Sequence, residues 1–221
     1  MTIKKRNERR KRVDAIIVGA GGFGKEIAFL LQQQNEYQWV GFVDDRKSEQ
    51  SDVLGKPVIG KIADLLQVKT PMAVFLGIAA PTVKENIYEQ LRQNPHLLFP
   101  NLFAPSALIG LNVQLGIGNI LMPYTTYTAD ISIGDFNMIN IGSTIGHDSI
   151  IGSYNAIFPN VNISGAVTLG DKNELGVGTK IIQERSIGDG NIIGAGSVVI
   201  RDIPHHSKWV GVPAKIIERW S

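Results

Sequence analysis

Aliphatic residues recur at every sixth position through the second half of the chain. Sixteen consecutive hexads run from Ile109 to Pro204 without an insertion, and all but one begin with an aliphatic residue, Tyr127 being the exception. Gly follows directly in nine of them. A six-residue period matches neither the 3.6 residues per turn of an amphipathic helix nor the two-residue alternation of an isolated strand. It predicts a solenoid whose turns stack on one another.

The same period predicts the shape of the solenoid. If each hexad is one short strand with its aliphatic residue inward and a Gly easing the corner that follows, three hexads form an eighteen-residue triangular coil. Residues eighteen apart then lie above one another at about 4.8 Å, the spacing of paired strands. The register stacks His147 on Gly165. We therefore expect a parallel β-helix over residues 105–221.

The three faces of this coil differ in charge. The face built from residues 121–126 and its counterparts at intervals of eighteen has one charged residue, Lys180. Its outward third positions include Val177 and Ala195, and so apolar a face is a candidate for burial against a partner. The face that starts at residue 115 is expected to meet water, since it carries Asp135, Asp171, Lys172, Glu174 and Asp189.

The first half alternates apolar runs with helical patterns and predicts a small Rossmann-like α/β domain over residues 13–104. Strands are expected at 13–18, 39–43, 57–59 and 73–79. Helices are expected from the glycine turn to about Gln34, near 61–67 and near 82–93.

A glycine-rich turn, Gly19-Ala20-Gly21-Gly22-Phe23-Gly24, follows the first predicted strand, and Asp44-Asp45 follows the second. Such a turn lets backbone amides at the positive end of a helix approach a phosphate, and an acidic residue about twenty positions on suits a ribose. Glycine-rich turns also occur where no ligand binds, but the acidic pair favours phosphate binding. The ligand stays open at this point, because NAD and a nucleotide sugar present the same diphosphate and ribose.

Composition limits the remaining classes. The 221 residues are 43% hydrophobic and 19% charged, which suits a soluble protein with two modest cores. The chain has no Cys, which excludes disulfides, thiolate metal sites and a Cys nucleophile, and we expect a cytoplasmic protein. No apolar run is long enough to span a membrane, and Asp14 interrupts a signal-peptide pattern.

Positive charge is concentrated at the start of the chain. Residues 1–12 carry seven Lys or Arg and one Glu, which leaves 15 basic and 19 acidic residues elsewhere. We expect residues 1–12 to form a disordered, solvated basic tail in preference to a contact with anionic lipid or nucleic acid. The body of the chain has no basic footprint for nucleic acid.

The hexads and the closing segment Gly211-Val212-Pro213-Ala214-Lys215 resemble the hexapeptide-repeat family. That family's fold is the left-handed β-helix, and its best-known members are trimeric acyltransferases. Together with the short α/β domain, the chain after residue 12 resembles the sugar acetyltransferases of the PglD, NeuD and perosamine N-acetyltransferase type. The resemblance, and not the period, implies left-handedness, a homotrimer and acetyl-CoA as co-substrate, with no metal.

The resemblance also assigns catalytic roles. An isolated His would ordinarily be a surface residue, but the family carries its general base in a His-Asp or His-Glu pair, here His147-Asp148. Imidazole can accept the proton that a sugar amine loses on attacking a thioester, and the neighbouring acid fixes its tautomer. The Gly165 amide is the expected oxyanion donor. Gly165, Val177 and Ala195 are the expected contacts of acetyl-CoA.

For the substrate, the resemblance implies a nucleotide-linked amino sugar, such as a 4-amino-4,6-dideoxy sugar. Its diphosphate would lie at Gly19, Gly21, Gly22 and Gly24, and its nucleoside near Asp44 or Asp45. Two positions depart from the family pattern: Phe23 stands in the turn where His is frequent, and Ala156 replaces a second His nine residues after His147.

N-acetylation has three alternatives, of which the last two belong to other functional classes. O-acetylation of a sugar such as sialic acid needs the same base. A non-enzymatic trimeric nucleotide-binding scaffold would not depend on His147. A γ-type carbonic anhydrase needs three His around zinc and is excluded, because the hexads contain one His.

Overall fold

The computed structural model describes residues 12–220. The predicted basic tail therefore lies outside the described residues, apart from Arg12. The first part of the described chain is an α/β layer, and none of its helices is long and apolar enough to cross a membrane. Its elements, in chain order, are β1 (Val13–Val18), α1 (Gly22–Gln32), β2 (Tyr37–Val43), β3 (Asp52–Val53), β4 (Lys56–Pro57), a 3₁₀ helix (Ile62–Gln67), β5 (Met72–Leu76), α2 (Pro81–Leu91) and β6 (Leu97–Leu98).

Strands β2, β1, β5 and β6 form a parallel sheet in that order. Ile17 of β1 packs in a cluster with α1, whereas Ile16 and Val18 pack in a cluster with α2. Burial on both faces explains why β1 is continuously apolar. The predicted strands 13–18, 39–43 and 73–79 and the two α-helices are confirmed, with ends shifted by a few residues.

Two elements of this layer differ from the predictions. The segment 57–59 contributes one residue to the short antiparallel pair β3–β4 and an isolated bridge from Val58 to Phe42. The predicted helix at 61–67 is a 3₁₀ helix. Strand β6 was not predicted, because two residues are too few to show a period.

From residue 102 onward the chain forms a triangular parallel β-helix of short strands. They are β7 (Leu102–Phe103), β8 (Leu108–Leu115), β9 (Ile120–Leu121), β10 (Thr126–Ile133), β11 (Met138–Ile139), β12 (Thr144–Ile145), β13 (Ile150–Ile151), β14 (Ala156–Ile157), β15 (Asn162–Ile163), β16 (Thr168–Leu169), β17 (Glu174–Leu175), β18 (Lys180–Ile181), β19 (Ser186–Ile187), β20 (Ile192–Ile193), β21 (Val198–Val199), β22 (Ser207–Val210) and β23 (Lys215–Arg219). Apart from the closing antiparallel pair β22–β23, all these strands pair in parallel.

The eighteen-residue register is confirmed strand by strand. Ile145 pairs with Ile163, which pairs with Ile181. The first residue of every hexad from Leu121 to Val199 is buried in one continuous core. Ile109, at the open first coil, is 40% exposed because no coil covers it from above.

The prediction that Gly eases the corners is wrong. The corners lie two residues later, at positions with positive φ that are mostly not Gly, such as Asp148 (φ 58°), Asn160 (φ 58°) and Ala166 (φ 56°). The Gly at the second hexad position is required by close stacking instead. A Cβ at Gly146 would lie 2.6 Å from the backbone N of Gly165 in the next coil.

A ladder of buried asparagines follows one edge of the coil and was missed in the sequence. Each side-chain Oδ1 accepts the backbone N–H of the asparagine eighteen residues later, at 2.8–2.9 Å. The backbone groups that each corner removes from strand pairing are thereby satisfied inside the coil. The ladder consists of Asn119, Asn137, Asn155, Asn173 and Asn191, continues upward to Asn101 and ends on Ser207.

Helix α1 covers the start of the side formed by β9, β11, β14, β17 and β20. Ile120 and Met122 belong to the same buried cluster as Ile27 and Leu30 of α1. The expectation that the apolar face is free for a partner is therefore wrong for its first coils. Farther along, Val177 is 49% exposed.

Helix α2 lies against the corner of the coil that was expected to meet water. Phe136 is buried there between Tyr88 of α2 and the stacked ring of Tyr154, with ring centroids 4.3 and 5.5 Å away. Lys172 makes a 2.8 Å ion pair with Glu85 of α2. That expectation is therefore wrong at this corner, because the charged and aromatic residues anchor α2.

The asparagine ladder can be tested at Asn155. Its replacement by Ala leaves the buried Asn173 N–H without its acceptor, whereas the Asn137 Oδ1 keeps the backbone N–H of residue 155. Each unsatisfied group costs about 1–3 kcal/mol. We expect Asn155→Ala to lower the free energy of unfolding by that amount or more in chemical denaturation, and Asn86→Ala on the exposed face of α2 to change it little. Equal effects of the two changes would contradict the ladder's role.

Candidate active site

His147 and Asp148 lie at the corner of the coil that follows β12. The positive φ of Asp148 turns its carboxylate back onto the imidazole, and the distance from Nδ1 to Oδ2 is 2.7 Å. Both side chains are about two-thirds exposed, at 66% and 64%. Because an ionised carboxylate only accepts, Nδ1 carries a hydrogen and the neutral ring presents the lone pair of Nε2. This is the arrangement of an oriented general base.

Gly165 lies beside the free face of this imidazole, one coil further along. A Cβ at Gly165 would stand 2.5 Å from Nε2, so any larger residue would displace the ring. The neighbouring Ala166 N–H donates to the His147 carbonyl at 2.7 Å, which ties the two corners together. Within residues 12–220 no hydrogen-bond acceptor is found for the Gly165 N–H. The structure thus stacks Gly165 beside His147, as the register predicted.

Val177 and Ala195 lie on a different edge of the coil from His147. Their corner stacks separately, with the Gly196 N–H donating to the Val177 carbonyl at 2.8 Å. The full side that carries β12, β15, β18 and β21 separates this edge from His147. Within one chain the structure therefore does not bring these two residues to the base. Ala156 is fully buried on yet another side.

A polar ladder crosses the side between those two edges. The Lys180 Nζ donates to the Asn162 Oδ1 at 2.7 Å, and the Asn162 Nδ2 donates to the Thr144 Oγ1 at 3.0 Å. The three residues are eighteen apart, so the register could have identified them. They make the surface next to His147 polar along its middle and cationic at Lys180.

A second His-Asp contact, between His205 and Asp189, has different chemistry. The His205 Nδ1 accepts the Asp189 backbone N–H at 2.8 Å, while its distance to the Asp189 carboxylate is 3.2 Å. This imidazole ends a stack of side-chain acceptors on the coil, in which the Asp189 Oδ1 accepts the N–H of Asp171. Its Nδ1 is committed to the backbone, so His147 is the better candidate for a base.

The glycine turn divides into structural and open positions. A Cβ at Gly24 would collide with the Gly19 carbonyl oxygen, and Gly19 has a φ of 93°. Gly21 and Gly22 have no atom within 4 Å of an added Cβ. Gly22 begins α1, so Gly21 and Gly22 leave open space at the helix's amino end, where anions bind.

This turn opens into a cavity of about 800 Å³ at the carboxyl ends of the parallel strands. Open α/β sheets bind their ligands at that edge. The cavity is lined by the predicted residues Gly19, Gly21, Gly22, Phe23, Asp44 and Asp45, and also by Val83 and Ile87 of α2. Gly24 faces the backbone instead. The predicted substrate residues are therefore brought together, with Gly24 in support.

Asp44 holds the glycine turn in place by hydrogen bonding and also lines the cavity. Its Oδ2 accepts the Ala20 N–H at 2.8 Å, and its Oδ1 accepts the N–H groups of Arg46 and Lys47 at 2.8 and 3.2 Å. Partial burial raises the pKa of this carboxyl, but the three backbone donors outweigh burial and hold the pKa below its ordinary value. Asp45 similarly accepts the Ile62 N–H at 3.0 Å.

Two cations at the mouth of this cavity were missed in the sequence. Arg46 and Lys47 follow the acidic pair directly and line the same cavity. Beside open amides at a helix start, two cations suit a doubly charged diphosphate. Among residues 12–220 there is no cluster of three or more His, Asp or Glu arranged to hold a metal ion.

Comparison with known proteins agrees with this architecture. The family model described as the PglD N-terminal domain matches residues 14–91. No curated protein matches the chain significantly. PerB from Caulobacter crescentus, solved in complex with CoA and GDP-perosamine, is 31% identical with a TM-score of 0.84, over 93% of this chain and 97% of that one.

Two further solved structures are similar over their whole length. WeeI from Acinetobacter baumannii AYE is 30% identical with a TM-score of 0.83, over 94% of this chain and 100% of that one. The acetyltransferase domain of PglB from Neisseria gonorrhoeae, solved with acetyl coenzyme A, is 27% identical with a TM-score of 0.87 over the same shares. The predicted fold class, a Rossmann-like domain followed by a left-handed β-helix, is confirmed. The chain belongs to the sugar acetyltransferases of the left-handed β-helix type.

Proposed function

We propose that this enzyme transfers the acetyl group of acetyl-CoA directly to the amine of a nucleotide-linked amino sugar, such as a 4-amino-4,6-dideoxy sugar, in bacterial glycan biosynthesis. The observation that carries the proposal is the His147 imidazole, oriented by Asp148 and lying over Gly165. The similarity to PerB, whose structure holds CoA and GDP-perosamine, supports an amino-sugar acceptor.

In this proposal His147 moves one proton through the reaction. The sugar amine attacks the thioester carbon, and Nε2 accepts the proton that the nitrogen loses as the C–N bond forms. Asp148 stabilises the imidazolium, and the Gly165 N–H donates to the oxyanion of the tetrahedral intermediate. When the C–S bond breaks, the imidazolium returns its proton to the sulfur and CoA leaves as the thiol.

The acetyl-CoA site in this proposal lies between neighbouring subunits of a homotrimer. Val177 and Ala195 are exposed on an edge that cannot reach His147 of its own chain, so a groove containing both needs a second chain. The exposed apolar Val177 and Ile141 suit pantetheine and subunit contact. Lys180 suits a phosphate of CoA. We expect a trimer in sedimentation equilibrium, and a monomer would contradict this arrangement.

The nucleotide sugar occupies the cavity at the glycine turn. The open amides at Gly21 and Gly22, with Arg46 and Lys47, bind the diphosphate, while Asp44 and Asp45 form the wall next to the nucleoside. The hydrogen bonds of Asp44 to the turn keep these amides in place. Phe23 supplies apolar surface at the position of the turn where the family pattern often has His.

Substrate class is tested by measuring CoA release with acetyl-CoA and a panel of UDP-, GDP- and dTDP-linked 4-amino sugars. We expect release with at least one amino sugar and none with the matched 4-hydroxy sugars. Release with hydroxylated acceptors alone would indicate O-acetylation. Nucleotide binding without any release would indicate a scaffold.

Replacing the base tests the mechanism. We expect His147→Ala to lower kcat by roughly 10²-fold or more, because the proton acceptor is lost. The KM for acetyl-CoA should change little. His96→Ala, at an exposed site in the α/β layer, is the matched control and should retain the wild-type kcat. Near-normal turnover of His147→Ala would remove the base assignment.

The orienting acid is tested by Asp148→Asn. Asn adopts positive φ readily, so the corner keeps its shape while the carboxylate charge is lost. We expect kcat to fall, though less than in His147→Ala, with no change in melting temperature. A drop in both kcat and melting temperature would instead indicate a structural role.

The glycine turn is tested by a pair of substitutions. Gly22→Ala meets open space, so we expect normal stability but about tenfold weaker nucleotide binding, or about 1.4 kcal/mol, because the methyl group occupies the diphosphate space. Gly24→Ala collides with the Gly19 carbonyl and should destabilise the fold by about 1–3 kcal/mol or more. Calorimetric titration and thermal unfolding measure the two effects. Unchanged nucleotide affinity in a well-folded Gly22→Ala would exclude a diphosphate at this turn.

A further inference from the structure

Lys84 is the one charged side chain that the described residues 12–220 bury. It lies on α2 in line with Pro81, Ile87 and Leu91, the other buried residues of that helix. Position 84 would ordinarily hold an apolar residue, because fully burying an amine is unfavourable without a partner. The choice of Lys at this position therefore calls for a specific partner.

The partner of Lys84 lies in the β-helix, fifty-two residues further along the chain. Its Nζ donates to the Phe136 carbonyl at 2.8 Å. The Phe136 ring packs at the same place against Tyr88 of α2 and belongs to the core cluster of Ile87 and Leu91. The amine thus joins α2 to the coil at the centre of a packed aromatic junction.

The neighbouring face of α2 forms a wall of the cavity at the glycine turn. Ala80, Val83, Ile87 and Gln90 line that cavity, and Ala80 directly precedes the helix. Lys84 and Val83 are adjacent on the helix, so a movement of the Lys84 anchor displaces the wall. The position of α2 relative to the coil then decides the shape of the nucleotide site.

We propose that Lys84 is a positioning residue that fixes the α2 wall of the nucleotide cavity to the β-helix through the Phe136 carbonyl, and that gain of a proton by its buried amine loosens this wall. A neutral amine still donates to the carbonyl and needs no counterion. A buried ammonium leaves its remaining hydrogens to be solvated, which favours opening of the junction. The part concerning nucleotide binding rests on the proposed function, whereas the anchoring of α2 does not.

The charges around the amine give the direction of this effect. Burial lowers the pKa of Lys84 from 10.5 to about 7, and the negative charge of Glu174 opposes that shift without cancelling it. Glu85 is already paired with Lys172. Among residues 12–220, neither Glu85 nor Glu174 forms an ion pair with the Lys84 amine. The titratable groups at this junction are on two elements. Helix α2 and the residue after it carry Glu85, Tyr88, Glu89 and Arg92, and the coil carries Asp135, Tyr154, Lys172, Glu174 and His206.

The sign of the stability change follows from these values. Between about pH 7 and pH 10.5 the unfolded chain binds the Lys84 proton more tightly than the folded protein does, so stability rises with pH across this window. Below about pH 7 both states are protonated and the whole cost of the buried charge is present. Between pH 8 and pH 6 the neutral fraction of Lys84 in the folded protein falls from about nine-tenths to about one-tenth.

Hydrogen exchange of α2 tests the anchor in the full-length protein. We expect protection of residues 81–91, normalised to the intrinsic exchange rate at each pH, to fall about tenfold in the wild type from pH 8 to pH 6. In Lys84→Met, which matches the length without a charge, protection should not depend on pH. In Lys84→Arg, which stays charged, it should be low at both pH values. Asn86→Ala, on the exposed face of the same helix, is the control and should show the same fall in protection as the wild type.

Nucleotide affinity tests the consequence for the site. The dissociation constants of UDP, GDP and dTDP are measured by calorimetry at pH 8 and pH 6 for the wild type and for Lys84→Met. Titration of the nucleotide phosphates affects both proteins equally, so it cancels in the ratio of their dissociation constants at each pH. We expect the wild type to lose several-fold more affinity than Lys84→Met on going to pH 6.

Two results would overturn the proposal. An exchange step of the same size in Lys84→Met and wild type would show that Lys84 does not control α2. If the fall in protection disappears in Lys84→Met but the ratio of dissociation constants is the same at pH 8 and pH 6, α2 does not shape the nucleotide site. If no nucleotide binds the wild type at all, the proposed function fails, while the exchange result still decides whether Lys84 is the anchor.

Discussion

The stacking of equivalent positions eighteen residues apart is the constraint on which the rest of this structure depends. Every hexad except the one that begins with Tyr127 places an aliphatic residue inward, and the buried asparagines join successive coils through their side chains. An inserted residue would shift one coil against the next, leaving buried backbone groups unpaired and turning aliphatic residues outward. The register is therefore held by packing and by hydrogen bonds at once, and no single strand of two residues has to be stable alone.

The same stacking provides the geometry of the proposed catalytic site. His147 and Gly165 occupy one position in successive coils, so their separation is set by strand pairing and not by a flexible loop. The positive φ of Asp148 belongs to the ordinary corner of the coil, yet it directs the carboxylate to the imidazole. A reactive pair on an exposed edge is thus placed by the backbone, with little dependence on neighbouring side chains.

The sequence predicted those parts of the molecule that follow from the spacing of residues along the chain. The period fixed the coil, the inward residues and the contact of His147 with Gly165, and the strand, turn and helix pattern located the glycine turn. The Gly at the second hexad position was wrongly assigned to a corner. Gly is needed there because the backbone of the next coil lies too close for a Cβ, and not because of its own φ. The covering of the coil by α1 and α2 could not be predicted either. Contacts such as Lys84 with Phe136 or Asn140 with Glu26 join distant segments whose pairing no local pattern contains.

The two halves of the chain hold different parts of the proposed reaction, since the cavity for the nucleotide lies in the α/β layer and the base lies on the coil. The most direct test is a crystal structure of the enzyme with CoA and a nucleotide-linked amino sugar that it acetylates. We expect the sugar amine within about 2.6–3.2 Å of the His147 Nε2. We also expect the diphosphate at Gly21 and Gly22, and CoA between the His147 edge of one chain and the Val177 edge of another. An amine held by a different side chain, with His147 facing solvent, would contradict this arrangement.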